Sequence, residues 1–361
     1  MEYKTVRINP VRPKQPRSSV LVIYTGGTFG MVYDPKASQL IPFNFEQVLE
    51  RVPELNRLDF EITILTLPEI IDSSNMKPAV WVELAQLIER YYNEYDSFVI
   101  LHGTDTMAYT ASALSFMLTG LTKPVILTGA QLPIGVARTD ARENFITALE
   151  IAADVDTSSQ QEGRPIVPEV CVYFNSFLLR GNRATKHESV QFNAFTSENY
   201  PPLATAGVSI DYNRPYIRPY QADLSLRVQT ALDSNVTILK LFPGITQPVV
   251  ESILTIPNLR GVVLETFGAG NAPTDSWFLN TLEKAIDKGI VLFNVSQCNG
   301  GRVTQGRYQT SKRLQQIGVI SGADSTTEAA ITKLMVVLGR EADPIQVRNL
   351  LSKSISGEIS E

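Results

Sequence analysis

Short runs of β-branched and aliphatic residues recur along this chain, and a helix-length amphipathic segment separates each from the next. Residues 20–24, 61–65, 98–101, 125–128 and 170–174 read as strands, with helical periods over 45–51, 78–92, 107–118 and 142–153. Parallel strands need long crossover connections, so this alternation predicts an α/β fold, a doubly wound parallel sheet with helices on both faces. The pattern resumes with strands at 236–241, 261–264 and 290–294 and helices at 247–254, 276–288 and 326–338. That second stretch predicts a smaller C-terminal α/β domain. Residues 1–18, with Pro10, Pro13 and Pro16 and scattered Lys and Arg, read as an arm outside the fold. The Pro-, Tyr- and Arg-rich stretch from Pro201 to Asp223 has no clear period and reads as the approach to a linker. The expected division is therefore an arm (1–18), an N-terminal α/β domain (19–212), a linker (213–235) and a smaller C-terminal α/β domain (236–361).

A chain of 361 residues with 43% hydrophobic content can bury two cores. Its apolar runs fall well short of the roughly 20 residues that span a bilayer, and no apolar segment precedes Val20 as a secretory signal requires. Cys171 and Cys298 do not make a disulfide framework, which points to a reducing compartment and a cytoplasmic location. The net charge of -5 gives no attraction to nucleic acid or to an anionic membrane. With only His102 and His187, and no CxxC or HExxH spacing, neither a metal nor another cofactor is expected. Chemistry must come from hydroxyls, carboxylates and lysines.

Four polar segments stand beside the strands. The first strand runs into Thr25, Gly26, Gly27 and Thr28, where paired glycines permit a sharp turn and Thr28 would stand at the carboxyl edge of a sheet. The same residues suit a nucleophile, a nucleotide loop or a plain turn, although GxGxxG is not completed. Residues 98–101 deliver His102, Gly103, Thr104 and Asp105 to the start of a helix, a place for an anion or for ordinary caps. His102 reads as a satisfied strand-end histidine. Asp72, Ser73 and Ser74 precede Pro78 at a loop-to-helix junction, suited either to an amino acid's charged ends or to capping. The run Arg180 to Lys186 follows the strand that ends at Phe174, and Lys186 alone would pass for a surface lysine. The loop after Gly129, through Arg138, Thr139 and Asp140, is a further candidate to line the same cleft.

Together, YTGGTFGM, DSSNMKP, FVILHGTDTMAYTASALSFML and RGNRATK resemble the type I, cytoplasmic bacterial asparaginases, within the asparaginase and glutaminase family. The likeness runs from about Val20 to the C-terminal helix and takes in GNAP at 270–273 and SGAD at 321–324. It implies hydrolysis of L-asparagine to L-aspartate and ammonia through an acyl-enzyme on Thr28. Thr104, Lys186 and Asp105 are similar to the family's second triad. Gly27, Asp72, Ser73, Ser74, Thr104 and Asp105 match positions around the substrate. A homo-oligomer, dimer or tetramer, is implied, with no nucleic-acid or membrane partner. Some members carry a tyrosine just before an Ile-Pro pair, but Leu40 precedes Ile41-Pro42 here, which leaves Tyr308, or else Tyr33, as the functional tyrosine. Glu265 stands where allosteric relatives place an arginine. Two other readings share these motifs: the glutaminase subunit of a tRNA-dependent amidotransferase, and a non-catalytic amino-acid-binding sensor on the same fold.

Overall fold

The computed structural model describes residues 3–8, 16–34, 39–42, 48–157, 163–306 and 309–360. It divides into two compact units, one of residues 1–197 and 201–228 and the other of 198–200 and 229–361.

The first unit is built on a nine-stranded sheet of β1 (Lys4–Ile8), β2 (Ser19–Gly26), β3 (Glu61–Ile71), β4 (Ser97–Leu101), β5 (Val125–Thr128), β6 (Val170–Phe174), β7 (Phe177–Arg180), β8 (Ala204–Ala206) and β9 (Ile210–Tyr212). Spatial order is β1-β3-β2-β4-β5-β6-β7-β8-β9. The five strands from β3 to β6 are parallel, and the flanking pairs are antiparallel. Every residue of β4 and β6 is buried, as strands covered on both faces must be. Three helices, α1 (Pro78–Tyr91), α2 (Met107–Met117) and α3 (Ala141–Ala153), accompany this sheet. Ten of the eleven residues of α2 are buried, so it is a core helix and not an amphipathic cover.

From β2 the chain steps to β3 on one side, then crosses back to β4 on the other. The connections after β2 and β4 therefore leave in opposite directions and open a crevice at the carboxyl ends of these neighbouring strands. Thr28 and Thr104 lie on those two connections.

Two expectations need correction. Residues 4–8 are not outside the fold: β1 pairs antiparallel with β3, Lys4 against Thr66 through Ile8 against Ile62, and Ile8 is buried. The alternation of charged and apolar residues in KTVRI suits an edge strand with one covered face. Nor does the sheet stop where prolines accumulate. Strands β8 and β9 lie within the stretch read as leading into a linker, and residues 214–218 are tied back to the first unit. There Arg180 pairs with Glu169 at 2.6 Å, both side chains under a tenth exposed, and also donates to the Tyr216 carbonyl; Arg218 N–H donates to the same carboxylate. Removing one partner of such a buried pair costs about 3–5 kcal/mol.

The second unit holds a parallel sheet of β10 (Val236–Lys240), β11 (Gly261–Thr266), β12 (Val291–Ser296) and β13 (Ile320–Ser321), in that order. Its helices are α4 (Gln247–Leu254), α5 (Ser276–Asp287), α6 (Gln309–Gln316), α7 (Thr327–Arg340) and α8 (Pro344–Ser352). Its core gathers Leu239, Val262, Leu264, Phe278, Leu282 and Leu292. Lys333 of α7 and Glu358 form an ion pair at 2.7 Å with both side chains fully buried. Lys333 also donates to the Leu351 and Lys353 carbonyls, and Glu358 accepts from the Ile355 and Ser356 N–H groups, so the last turn of chain is fastened to α7. Among the described residues no helix is long and apolar enough to cross a membrane.

Candidate active site

Glycines set the distances between the motifs. Gly27 has φ 85°, a conformation that strains any residue with a Cβ, and a Cβ there would lie 2.4 Å from the Gly103 Cα. A Cβ on Gly103 would meet the Ser73 Oγ at 2.6 Å, and one on Gly26 the Ile71 carbonyl oxygen at 2.2 Å. The β2 turn is thus in backbone contact with the β4 turn and with the end of β3, and the Ser73 side chain packs on the β4 turn. Thr28 and Thr104 each follow directly on one member of the Gly27–Gly103 contact. Ser73 is buried beside them, and its carbonyl accepts from the Thr106 hydroxyl at 2.8 Å.

Neither Thr104 nor Asp105 is spent on capping. The N-cap of α2 is Thr106, whose side chain makes no capping bond. Thr104, 8% exposed, instead accepts from Lys186 Nζ at 2.9 Å and donates to Gln131 Oε1 at 3.3 Å. Lys186 also pairs with Asp105 at 2.6 Å, the lysine side chain 16% exposed and the carboxylate 63%. Hydroxyl, ammonium and carboxylate from two distant segments therefore form one hydrogen-bonded chain.

Lys186 reaches this edge by a longer route than the sequence suggested. After β6 the chain turns into its antiparallel partner β7, so Arg180 pairs with Cys171 near the start of β6, at the opposite end of the sheet. The chain then returns along α2. Gly181 packs against the Val170 carbonyl and Ala111, and Thr185–Lys186 forms a short antiparallel ribbon with Phe195–Thr196.

His102 is wholly buried, and burial pushes its pKa down to about 4 despite the hydrogen bond to the Gly103 carbonyl. A carbonyl only accepts, so Nδ1 carries the proton in that 2.7 Å bond. Nε2 then accepts from the Thr110 hydroxyl at 2.9 Å, which itself accepts from the Trp81 indole at 3.0 Å. The neutral histidine fixes the Gly103 peptide from behind and is satisfied, as the sequence suggested.

Asp72 is the N-cap of the short helix Ser73–Asn75: its carboxylate accepts from both the N–H and the hydroxyl of Ser74, which holds its pKa below the ordinary value. Asp140 is committed likewise, accepting from the Gln131 and Leu132 N–H groups and from Asn144. Tyr33 lies in the ribbon of Met31–Asp34 with Gln39–Pro42, where its backbone partner is Leu40. Tyr308 lies outside the described residues. In the second unit, Gly270 and Ala323 of GNAP and SGAD flank one segment: Gly270 abuts Val303, whose N–H donates to Ala323.

Two polar side chains escaped the sequence reading. Gln131 is in direct contact with Thr104, and its only sequence signal is its place two residues after a strand-end glycine. Asn199 belongs to the second unit, where it accepts from the Gly301 N–H at 2.7 Å and donates to the Gly301 and Asp324 carbonyls. Nothing local marks it. Among the described residues no group of three or more His, Cys, Asp or Glu is arranged to hold a metal ion.

Residues 19–218 match the family model for the asparaginase N-terminal domain, and residues 235–351 that for the glutaminase/asparaginase C-terminal domain. The chain belongs to the asparaginase family. It is 40% identical to L-asparaginase 1 of Escherichia coli K12 over 345 residues, covering 95% of this chain and 98% of that one. The human 60 kDa lysophospholipase is 40% identical over 369 residues, 96% of this chain but 62% of that longer protein. The crystal structure of L-asparaginase I from Vibrio cholerae superposes with a TM-score of 0.85 at 36% identity, covering 96% and 100% of the two chains. This asparaginase-family chain is therefore an amidohydrolase with the α/β architecture anticipated from its strand and helix pattern.

Proposed function

We propose that this enzyme hydrolyses L-asparagine to L-aspartate and ammonia, with Thr28 as nucleophile and Thr104, Lys186 and Asp105 as the assisting triad. The reading rests chiefly on the Lys186–Thr104–Asp105 chain standing one backbone contact, Gly103 to Gly27, from the Thr28 turn. Thr28 Oγ bonds to the side-chain amide carbon of asparagine, and its proton passes to the departing nitrogen. The C–N bond breaks and ammonia leaves, giving a β-aspartyl ester. Water then adds to that ester and the bond to Thr28 breaks, which yields aspartate and restores the hydroxyl.

Gly27, Asp72, Ser73, Ser74 and Asp105 hold the amino acid's charged ends, Asp105 meeting the α-ammonium and the serine segment the α-carboxylate. Contacts of this kind orient the amide for attack. Tyr308 assists Thr28. The enzyme acts as a homo-oligomer in the cytoplasm, where the free Cys171 and Cys298 suit a reducing milieu.

Ammonia release by the purified chain from L-asparagine and from L-glutamine tests the reading, with a lysophospholipid as control ester in view of the human relative. Turnover of asparagine that Thr28→Ala and Thr104→Ala each abolish, with far-UV circular dichroism intact, is the expected result. Activity near wild type in either variant would remove that hydroxyl from the mechanism.

A further inference from the structure

The hydrogen bonds around Thr104 have only one consistent direction. Gln131 Nε2 lies 3.0 Å from the Gln191 carbonyl. That carbonyl can only accept, so the amide nitrogen must face it and Oε1 must face Thr104. Oε1 in turn can only accept. The single hydroxyl proton of Thr104 is therefore given to Gln131, and the oxygen receives Lys186 through a lone pair. As it stands, Thr104 points its proton away from Lys186.

The base beneath Gln131 is rigid. Its N–H and that of Leu132 are held by the Asp140 carboxylate at 3.0–3.1 Å, and Asn144 bridges Asp140 and the Gly129 carbonyl. Gly129 packs against the His102 carbonyl, where a Cβ would lie at 2.3 Å. The loop after β5 is thus fixed against the turn after β4, and the Gln131 side chain is presented to Thr104 from a set position. At 3.3 Å the bond to Thr104 is long and weak, suited to release when the hydroxyl turns.

We infer that Gln131 is a positioning residue for the reaction: its carbonyl oxygen holds the Thr104 hydroxyl in the resting enzyme, and its amide nitrogen tethers the segment that follows Lys186 through Gln191. Transfer of the Thr104 proton requires this bond to open toward a Lys186 that has given up its own proton and stands as the neutral amine, so Gln131 sets the rotamer from which the triad starts. The inference rests on the proposed role of Thr104.

Two near-isosteric variants separate the acceptor from the tether. Gln131→Met loses both, whereas Gln131→Glu keeps an acceptor for Thr104 and loses the donor to Gln191. The expected result is a kcat at least about fivefold lower in Gln131→Met with KM within about twofold, and a clearly smaller loss of kcat in Gln131→Glu. Far-UV circular dichroism and thermal midpoint confirm that both variants fold. Equal losses in the two would mean that Gln131 serves only as a tether, and wild-type kcat in Gln131→Met would mean that the Thr104 bond is idle; either overturns the inference. Thr104→Ala is measured alongside. Should that variant remain active, the proposed function fails, whereas an inactive Thr104→Ala beside a fully active Gln131→Met rejects the positioning role alone.

Discussion

Replacing Gly27 by alanine perturbs the site through a single methyl group. At φ 85°, ψ 178° a non-glycine residue carries about 1–3 kcal/mol of backbone strain. The new Cβ would lie 2.4 Å from the Gly103 Cα and 2.5 Å from its nitrogen, whereas carbon atoms rest about 3.5–4.0 Å apart. The two turns must separate by about 1 Å, and a displacement of that size between catalytic groups costs about a hundredfold in rate. The strain alone lowers the thermal midpoint by about 2–12 °C for a unit of this size. Gly163→Ala is the matched control: φ is 78°, but among the described residues no atom lies within 4 Å of its Cβ, so it pays strain without a clash. Ammonia-release kinetics should give Gly27→Ala a kcat/KM at least about a hundredfold below wild type, and Gly163→Ala an unchanged value. If Gly27→Ala stays within about threefold of wild type, the tight apposition of the two turns does not set the catalytic geometry.

Three further outcomes are expected. His102 has a folded pKa near 4 against 6.5 in the unfolded chain, so the unfolded state binds more protons as pH falls. Its contribution is complete above pH 6.5 and is lost down to pH 4, amounting to about 2 kcal/mol between pH 8 and pH 5; denaturant unfolding should show this slope flattened in His102→Gln, and an unchanged slope would contradict the buried neutral imidazole. Lys333→Met leaves Glu358 charged in a fully buried site and should cost about 3–5 kcal/mol, more than Lys333→Met combined with Glu358→Gln. A double variant less stable than the single would show that the ion pair is not what fastens the terminal segment. Tyr308→Phe should lower kcat by at least about tenfold and by more than Tyr33→Phe does; the opposite ranking in steady-state kinetics assigns the role to Tyr33.

The central strands were legible because they are buried on both faces: SFVIL and VCVYF carry no charged residue to confuse the period. The edges were not. Strand β1 exposes Lys4, Thr5 and Arg7, and β8 and β9 are three-residue strands in a proline-rich stretch, held by pairing that no local pattern encodes. At the site, the glycine-threonine turns announced themselves by their place at strand ends. The partners of Thr104 did not. Lys186 lies 82 residues away in sequence and arrives by way of the opposite sheet edge, and the orientation of Gln131 depends on a backbone carbonyl 60 residues further on. Contacts of that range depend on topology, which the sequence supplied as fold class but not as strand order.

Identification of the acylated residue tests the central claim most directly. Wild-type enzyme mixed with L-asparagine, quenched in acid during turnover and digested, is read by peptide mass spectrometry. The account predicts an aspartyl ester on Thr28, in the peptide that carries YTGGTFGM, and none on the peptide that carries Thr104. An ester on Thr104, or undiminished ammonia release by Thr28→Ala, would contradict it.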